Sequence, residues 1–365
     1  MRPMLPLVRA ASAAGHQVVV ATGPDLVDEL QRRGYQTWSI GPTAREAWSE
    51  LRSSQPPVDA AEQFARSASV LLGRPGVARS RDVLSRAAHW APDVVVHSLT
   101  EIVGAEVAAL TGALEIVVGP TGEVRGAQAL LPLVTAELAA ALSTPDRYAD
   151  ILAAPYIDPR VPALASDRPS AFANVRRVRP ELDEPVHRLP LRVQRFGDRR
   201  TVLLSLGRHA VRPQLLSTAL QGLRGFGINL IVETSPAIGL SGLGQAPRNV
   251  AVGQVIDYAR ALPLCTGVIT NAAAELTVGA LGHGLPMVNL PGSGSQLITA
   301  HRVSRIGAGI TVLPGRLTPD AVRHAVADLF ADPAYAAAAQ VQEAAIAALP
   351  SAADVLSDLT VTVPA

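Results

Sequence analysis

Three stretches of the chain put chemically capable side chains where a strand-like run ends. Val94-Val95-Val96 is followed by His97, and Ser98, Thr100 and Glu101 open the helical segment beyond it. A histidine at that edge is a site for proton abstraction or acceptor binding; the alternative is an ordinary strand-end histidine. Ser205-Leu206-Gly207-Arg208 follows the run Thr201 to Leu204. There a guanidinium is suited to bidentate phosphate contact, against the reading of a solvated loop arginine. Asn271-Ala272-Ala273-Ala274-Glu275 follows Gly267-Val268-Ile269 and opens a helical stretch. The remaining histidines carry less: His16 reads as a polar cap at a helix end, and His209, His283 and His301 form no pattern. Cys265 is the only cysteine, which excludes an intramolecular disulfide framework, and no Cys/His group has zinc spacing.

The elements that must position these residues are short β-branched runs alternating with amphipathic segments. The runs are Val18 to Val20, Val94 to Val96, Ile116 to Val118, Thr201 to Leu204, Leu230 to Val232, Gly267 to Ile269 and Met287 to Leu290. Fully buried parallel strands have this composition. Helical stretches at 213–223, 274–282 and 319–330 lie between them, and the Ala-rich segment 334–349 reads as a closing helix. Periodicity breaks at 180–200, where Pro180, Pro185 and Pro190 fall among charges. The expected organisation is therefore α/β, with two Rossmann-like doubly wound lobes, 1–180 and 201–365, joined by a linker at 181–200. Such a pair faces across a cleft at the C-terminal strand edges, where ligands bind in open α/β sheets.

Bulk composition narrows the partners. In 365 residues, Lys+Arg 32 balance Asp+Glu 31, so no global field draws the chain to nucleic acid or anionic lipid. No apolar run reaches membrane-spanning length and no signal peptide is apparent, so the expectation is a cytoplasmic protein. A hydrophobic content of 48% with only 4% aromatics places Ala, Val and Leu in the core.

An ordered series in the second lobe resembles the bacterial NDP-sugar glycosyltransferases that decorate macrolides and enediynes. It runs through Ala261-Leu262-Pro263-Leu264-Cys265, Gly267 to Asn271, Gly279-Ala280-Leu281, Gly284-Leu285-Pro286, Leu290-Pro291, Gln296, Arg302-Val303 and Gly307-Ala308-Gly309. In the first lobe, Pro3 to Leu7, Ala13 to His16, Ala21 to Pro24, Trp90 to His97 and Arg179-Pro180 are similar as well. The resemblance implies the GT-B fold and an inverting, metal-independent transfer of a (deoxy)sugar from a TDP- or UDP-linked donor, with no cofactor. The acceptor it implies is an apolar aglycone held by the loops around 55–80 and 122–142. It leaves two alternatives: an inactive homologue serving as a binding or auxiliary partner, and a cleft reused for non-glycosyl chemistry. Homodimer and auxiliary partner both stay open as assemblies.

Carried over residue by residue, the resemblance assigns the donor to Gly207, Arg208, Val255, Asn271, Ala272, Ala273, Ala274, Ser295 and Gln296. Several of these depart from the family pattern. Asn271 stands at the family's histidine, Ala272 and Ala273 at its glycines, Ser295 at its carboxylate and Gln254 at its base-stacking Trp. Glu275 adds a carboxylate in the helix's first turn, where it competes for the amides meant for a diphosphate. The family's catalytic Gly-His pair and first strand align before Met1, so the expectation is a polypeptide that begins further upstream; His97 is the candidate within the chain.

Overall fold

The computed structural model describes residues 2–43, 45–46, 49, 69, 73–122, 127–165, 170–183, 187–207, 213–234, 247–292 and 294–360. In chain order the first part comprises α1 (Leu5–Ala13), β1 (Val19–Thr22), α2 (Pro24–Arg32), β2 (Gln36–Ser39), α3 (Arg74–Trp90), β3 (Val94–Ser98), α4 (Val103–Thr111), β4 (Leu114–Val118), α5 (Ala127–Leu142), α6 (Tyr148–Ala153), β5 (Pro155–Asp158) and β6 (Asn174–Arg177). The second comprises β7 (Thr201–Ser205), α7 (Pro213–Leu223), β8 (Asn229–Glu233), β9 (Val250–Gly253), α8 (Tyr258–Ala261), β10 (Gly267–Thr270), α9 (Ala274–Leu281), β11 (Met287–Asn289), α10 (Ser295–Arg305), β12 (Gly309–Thr311), α11 (Pro319–Ala331), α12 (Ala334–Ala347) and α13 (Ala352–Thr360).

The second lobe is a six-stranded parallel sheet in the order β12-β11-β10-β7-β8-β9. Residues of β7, β8 and β10 are buried throughout, which is why these strands read as continuous apolar runs. Successive side chains serve opposite faces. Val202 and Leu204 pack under α7 and α11, whereas Leu203 and Val268 meet α9 and α12. The order reverses between β7 and β10, so their C-terminal ends, Ser205 and Thr270, border the crevice of the sheet.

The described strands of the first lobe lie in two parallel sheets, β1-β2 and β3-β4-β5-β6, which are not hydrogen-bonded to each other. Helix α1 spans both: Leu5 packs with Val20 and Leu30, and Leu7 packs with Ile116, Val118 and Ile157. On the opposite face, α3 joins Ile40 to the β3-β4 side through Val83 and Ala87.

The Ala-rich segment forms the closing helix α12 as expected, and a further helix, α13, follows it. Pro350 separates α12 from α13, and α13 crosses back to bury Val355 and Leu359 on the first-lobe sheet. In the reverse direction, Val161 and Leu164 of the first part sit in the second lobe's core, and Arg302 Nη1 donates to the Leu164 carbonyl at 2.6 Å.

Two positions test this packing. A methyl on Gly222 of α7 would strike the Pro319 carbonyl oxygen and lie 3.1 Å from Val322 Cβ. Gly222→Ala, favourable in an open helix, is expected to destabilise by about 1–3 kcal/mol through overpacking, read as a lower midpoint in thermal unfolding. Asn289 is fully buried, and both its amide atoms lack a hydrogen-bond partner among the described residues. Asn289→Leu is expected to raise the midpoint, because an orphaned buried amide costs about 1–3 kcal/mol. A lower midpoint would show that the amide is satisfied in solution.

Candidate functional site

The mouth of the second lobe is built where β7 and β10 end. The Asn271 side chain ties the two ends together: Nδ2 donates to the Leu206 carbonyl at 2.8 Å, and Oδ1 accepts from the Ala273 amide at 3.1 Å. Gly207 follows in the left-handed region at φ 91°, and a Cβ there would lie 3.0 Å from Asn271 Nδ2. Only glycine fits that backbone without strain. Ala272, buried and with φ 61°, lacks that freedom; the left-handed conformation costs an alanine about 1 kcal/mol. It is held by its amide, which donates to Thr270 Oγ1 at 3.2 Å.

Helix α9 then starts at Ala274, and its N-cap residue, Ala273, has no side chain that could cap the first turn, in contrast to α11, where Thr318 accepts from the Ala321 amide. An uncapped first turn offers its amides and dipole to an anion. Glu275 lies half-buried in the same turn. The mouth borders the first lobe, since a methyl on Gly122 would come within 2.6 Å of Ala274 Cβ. Gly207, Asn271, Ala272, Ala273 and Ala274 are thus brought together. Two of the amides that the resemblance gives to a diphosphate, those of Ala272 and Ala273, already donate within the turn.

The other expected donor residues among those described follow the C-terminal ends of β9 and β11 in the same sheet. Val255 is 40% exposed in the connection from β9 to α8, next to exposed Gln254. Ser295 is exposed at the start of α10, and Gln296 folds back so that its Oε1 accepts from the Gly292 amide at 2.8 Å. Arg208, like residues 55–68 and 70–72, lies outside the described residues; of the stretches expected to be acceptor loops, 74–80 belongs to α3 and 127–142 forms α5.

Beneath Val255 is a network that sequence reading did not single out. Glu233, 1% exposed at the end of β8, accepts from Ser205 Oγ at 2.5 Å, from the Tyr258 hydroxyl at 2.6 Å and from the Ile256 amide at 3.1 Å. The one signal for it in the sequence is an acid closing the apolar run Leu230-Ile231-Val232.

In the first lobe, His97 is 4% exposed and turned inward against α4, where a methyl on Gly104 would strike its ring. Its Nε2 meets Glu115 at 2.9 Å and its Nδ1 lies 3.1 Å from the Ser98 carbonyl. The structure places it with β4 and α4. Glu101, just beyond β3, pairs with Arg79 of α3. Burial pushes its carboxyl above the usual range, against the opposing pull of Arg79 and His97. The Cys265 thiol is pushed up to about 12 by burial, which fits a core side chain. No helix among the described residues is long and apolar enough to cross a membrane.

Comparison with known proteins agrees with this architecture. Residues 221–361 match the erythromycin biosynthesis protein CIII-like, C-terminal domain. The chain is 30% identical over 162 residues to 3-alpha-mycarosylerythronolide B desosaminyl transferase of Saccharopolyspora erythraea, a stretch covering 44% of this chain and 38% of that protein. It is 27% identical over 394 aligned positions to the elloramycin glycosyltransferase ElmGT of Streptomyces olivaceus, covering 98% of this chain and 93% of that one. The crystal structure of the glycosyltransferase VinC in complex with dTDP superposes with a TM-score of 0.79 at 19% identity, over 98% of this chain and 95% of that one. The chain therefore has the GT-B fold and, at residues 221–361, an EryCIII-like C-terminal domain, and the proteins it is similar to are macrolide and antibiotic glycosyltransferases.

Proposed function

We propose that this protein transfers a (deoxy)sugar from a TDP- or UDP-linked donor to a hydrophobic natural-product acceptor, with inversion and without a metal or cofactor. The observation that carries the proposal is the uncapped start of α9, set at the crevice of a parallel sheet and facing the first lobe at Gly122. A diphosphate seated there meets the first-turn amides and the positive end of the helix dipole. Gly207 keeps the approach open beside Asn271, and Val255 offers its backbone to a base. VinC, which shares the fold and was crystallised with dTDP, supports a deoxythymidine-linked donor. Acceptor recognition falls to the first lobe, including the region of Glu101 and Arg79.

The alternative, a binding shell without chemistry, draws on Ala272, Ala273 and Glu275. Sugar-transferring homologues favour the enzyme. The test is calorimetry of the protein with TDP and UDP. One of them is expected to bind at micromolar level, about −8 kcal/mol; absence of heat with both at millimolar nucleotide would defeat the proposal.

The departures at the helix start predict gains. Glu275→Gly removes a like charge from the first turn and is expected to tighten nucleotide binding about two- to fivefold, less at high salt, in the same titration. Ala272→Gly releases left-handed strain and is expected to raise stability by about 1 kcal/mol, seen as a higher unfolding midpoint.

A further inference from the structure

Ser205, Glu233 and Gly253 stand side by side at the C-terminal ends of β7, β8 and β9, as the strand register requires. From Gly253 the chain leaves the sheet, exposes Gln254 and Val255, and returns as buried Ile256, Asp257 and Tyr258. Both feet of this arch are fixed. The Gly253 carbonyl accepts from the Thr234 amide at 2.9 Å. On the other side, Glu233 takes the Ile256 amide on Oε1 at 3.1 Å and the Tyr258 hydroxyl on Oε2 at 2.6 Å. Ser205 Oγ reaches the same Oε2 at 2.5 Å and lies 3.0 Å from the Tyr258 hydroxyl.

The connection continues to the helix mouth. Ser205 is followed by Leu206, whose carbonyl accepts from Asn271, and Asn271 in turn holds the Ala273 amide. One line of hydrogen bonds and peptide units thus runs from the exposed arch to the start of α9. Its centre is a carboxylate that is 1% exposed. A buried carboxylate accepting hydroxyl and amide donors makes stronger and more directional bonds than a neutral group would.

We propose that Glu233 is a positioning residue for nucleotide selection: it sets the arch at Gln254-Val255, and so the place of the nucleoside, relative to the diphosphate site at α9. The inference rests on the donor-binding reading above and goes beyond it by assigning base affinity to a residue that touches no ligand. A merely structural role for Glu233 would change stability without separating the base from the phosphates; the positioning role separates them.

The experiment titrates wild type, Glu233→Gln and Tyr258→Phe with TDP and, separately, with inorganic pyrophosphate, and records the thermal midpoint of each protein. The glutamine keeps the shape of the side chain and exchanges charged acceptors for one neutral acceptor and one donor group. The expected result is TDP affinity reduced about tenfold in Glu233→Gln, the scale of one weakened charge-assisted hydrogen bond. Pyrophosphate affinity is expected to stay within about twofold. Tyr258→Phe, which keeps the Ile256 bond, should show a smaller change with the same preference for TDP, and it carries the test should Glu233→Gln fail to fold. Unchanged TDP affinity in a folded variant, or equal losses for TDP and pyrophosphate, overturns the assignment. A wild type that shows no preference for TDP over pyrophosphate removes the donor-site reading itself and this inference with it.

Discussion

One primary amide, that of Asn271, holds the ends of two parallel strands in the geometry on which the second lobe's mouth depends. Its donor side occupies the Leu206 carbonyl and its acceptor side the Ala273 amide, so the turn between β10 and α9 cannot drift from β7 without orphaning buried backbone groups. That constraint explains how Ala272 persists in a left-handed conformation that alanine disfavours. The strain is held by neighbouring bonds that fix the chain on either side. Where a glycine would adopt the turn freely, this chain uses a side-chain amide to impose it.

The architecture follows from a simple requirement. Parallel strands need crossovers, crossovers bring helices to both faces, and strands covered on both faces must be apolar throughout. The second lobe obeys this at its four inner strands, which is why β7, β8, β10 and β11 were legible as runs of Val, Leu and Ile. Strands β2, β5 and β6 were not. Gln36-Thr37-Trp38-Ser39 and Asn174-Val175-Arg176-Arg177 are short, largely exposed and mixed in polarity, so their strand character comes from pairing with a neighbour.

The candidate site was legible to a similar depth. The resemblance located the turn from Asn271 to Glu275 and the connection at Val255, because those positions are fixed by spacing along the chain. Side-chain direction was not encoded locally. His97 lies one residue before the end of β3, and the pleat turns its ring inward to Glu115, a partner 18 residues away in sequence. Glu233 likewise finds Tyr258 and Ser205 only when the strand ends are side by side. Such pairings are products of tertiary register.

The last helix has a mechanical consequence. The chain passes between lobes near Arg179 and again after Pro350, and at that point the Arg179 amide donates to the Pro350 carbonyl at 2.8 Å. Helix α13 is anchored beyond this on the first-lobe sheet, against Leu7 and Ile116. These two crossings are bound side by side, and Val161 and Leu164, buried in the second lobe's core, tie the lobes at a further point. Any relative movement of the lobes therefore has to carry along or break the Leu164–Arg302 bond as well as the pairing of Arg179 with Pro350.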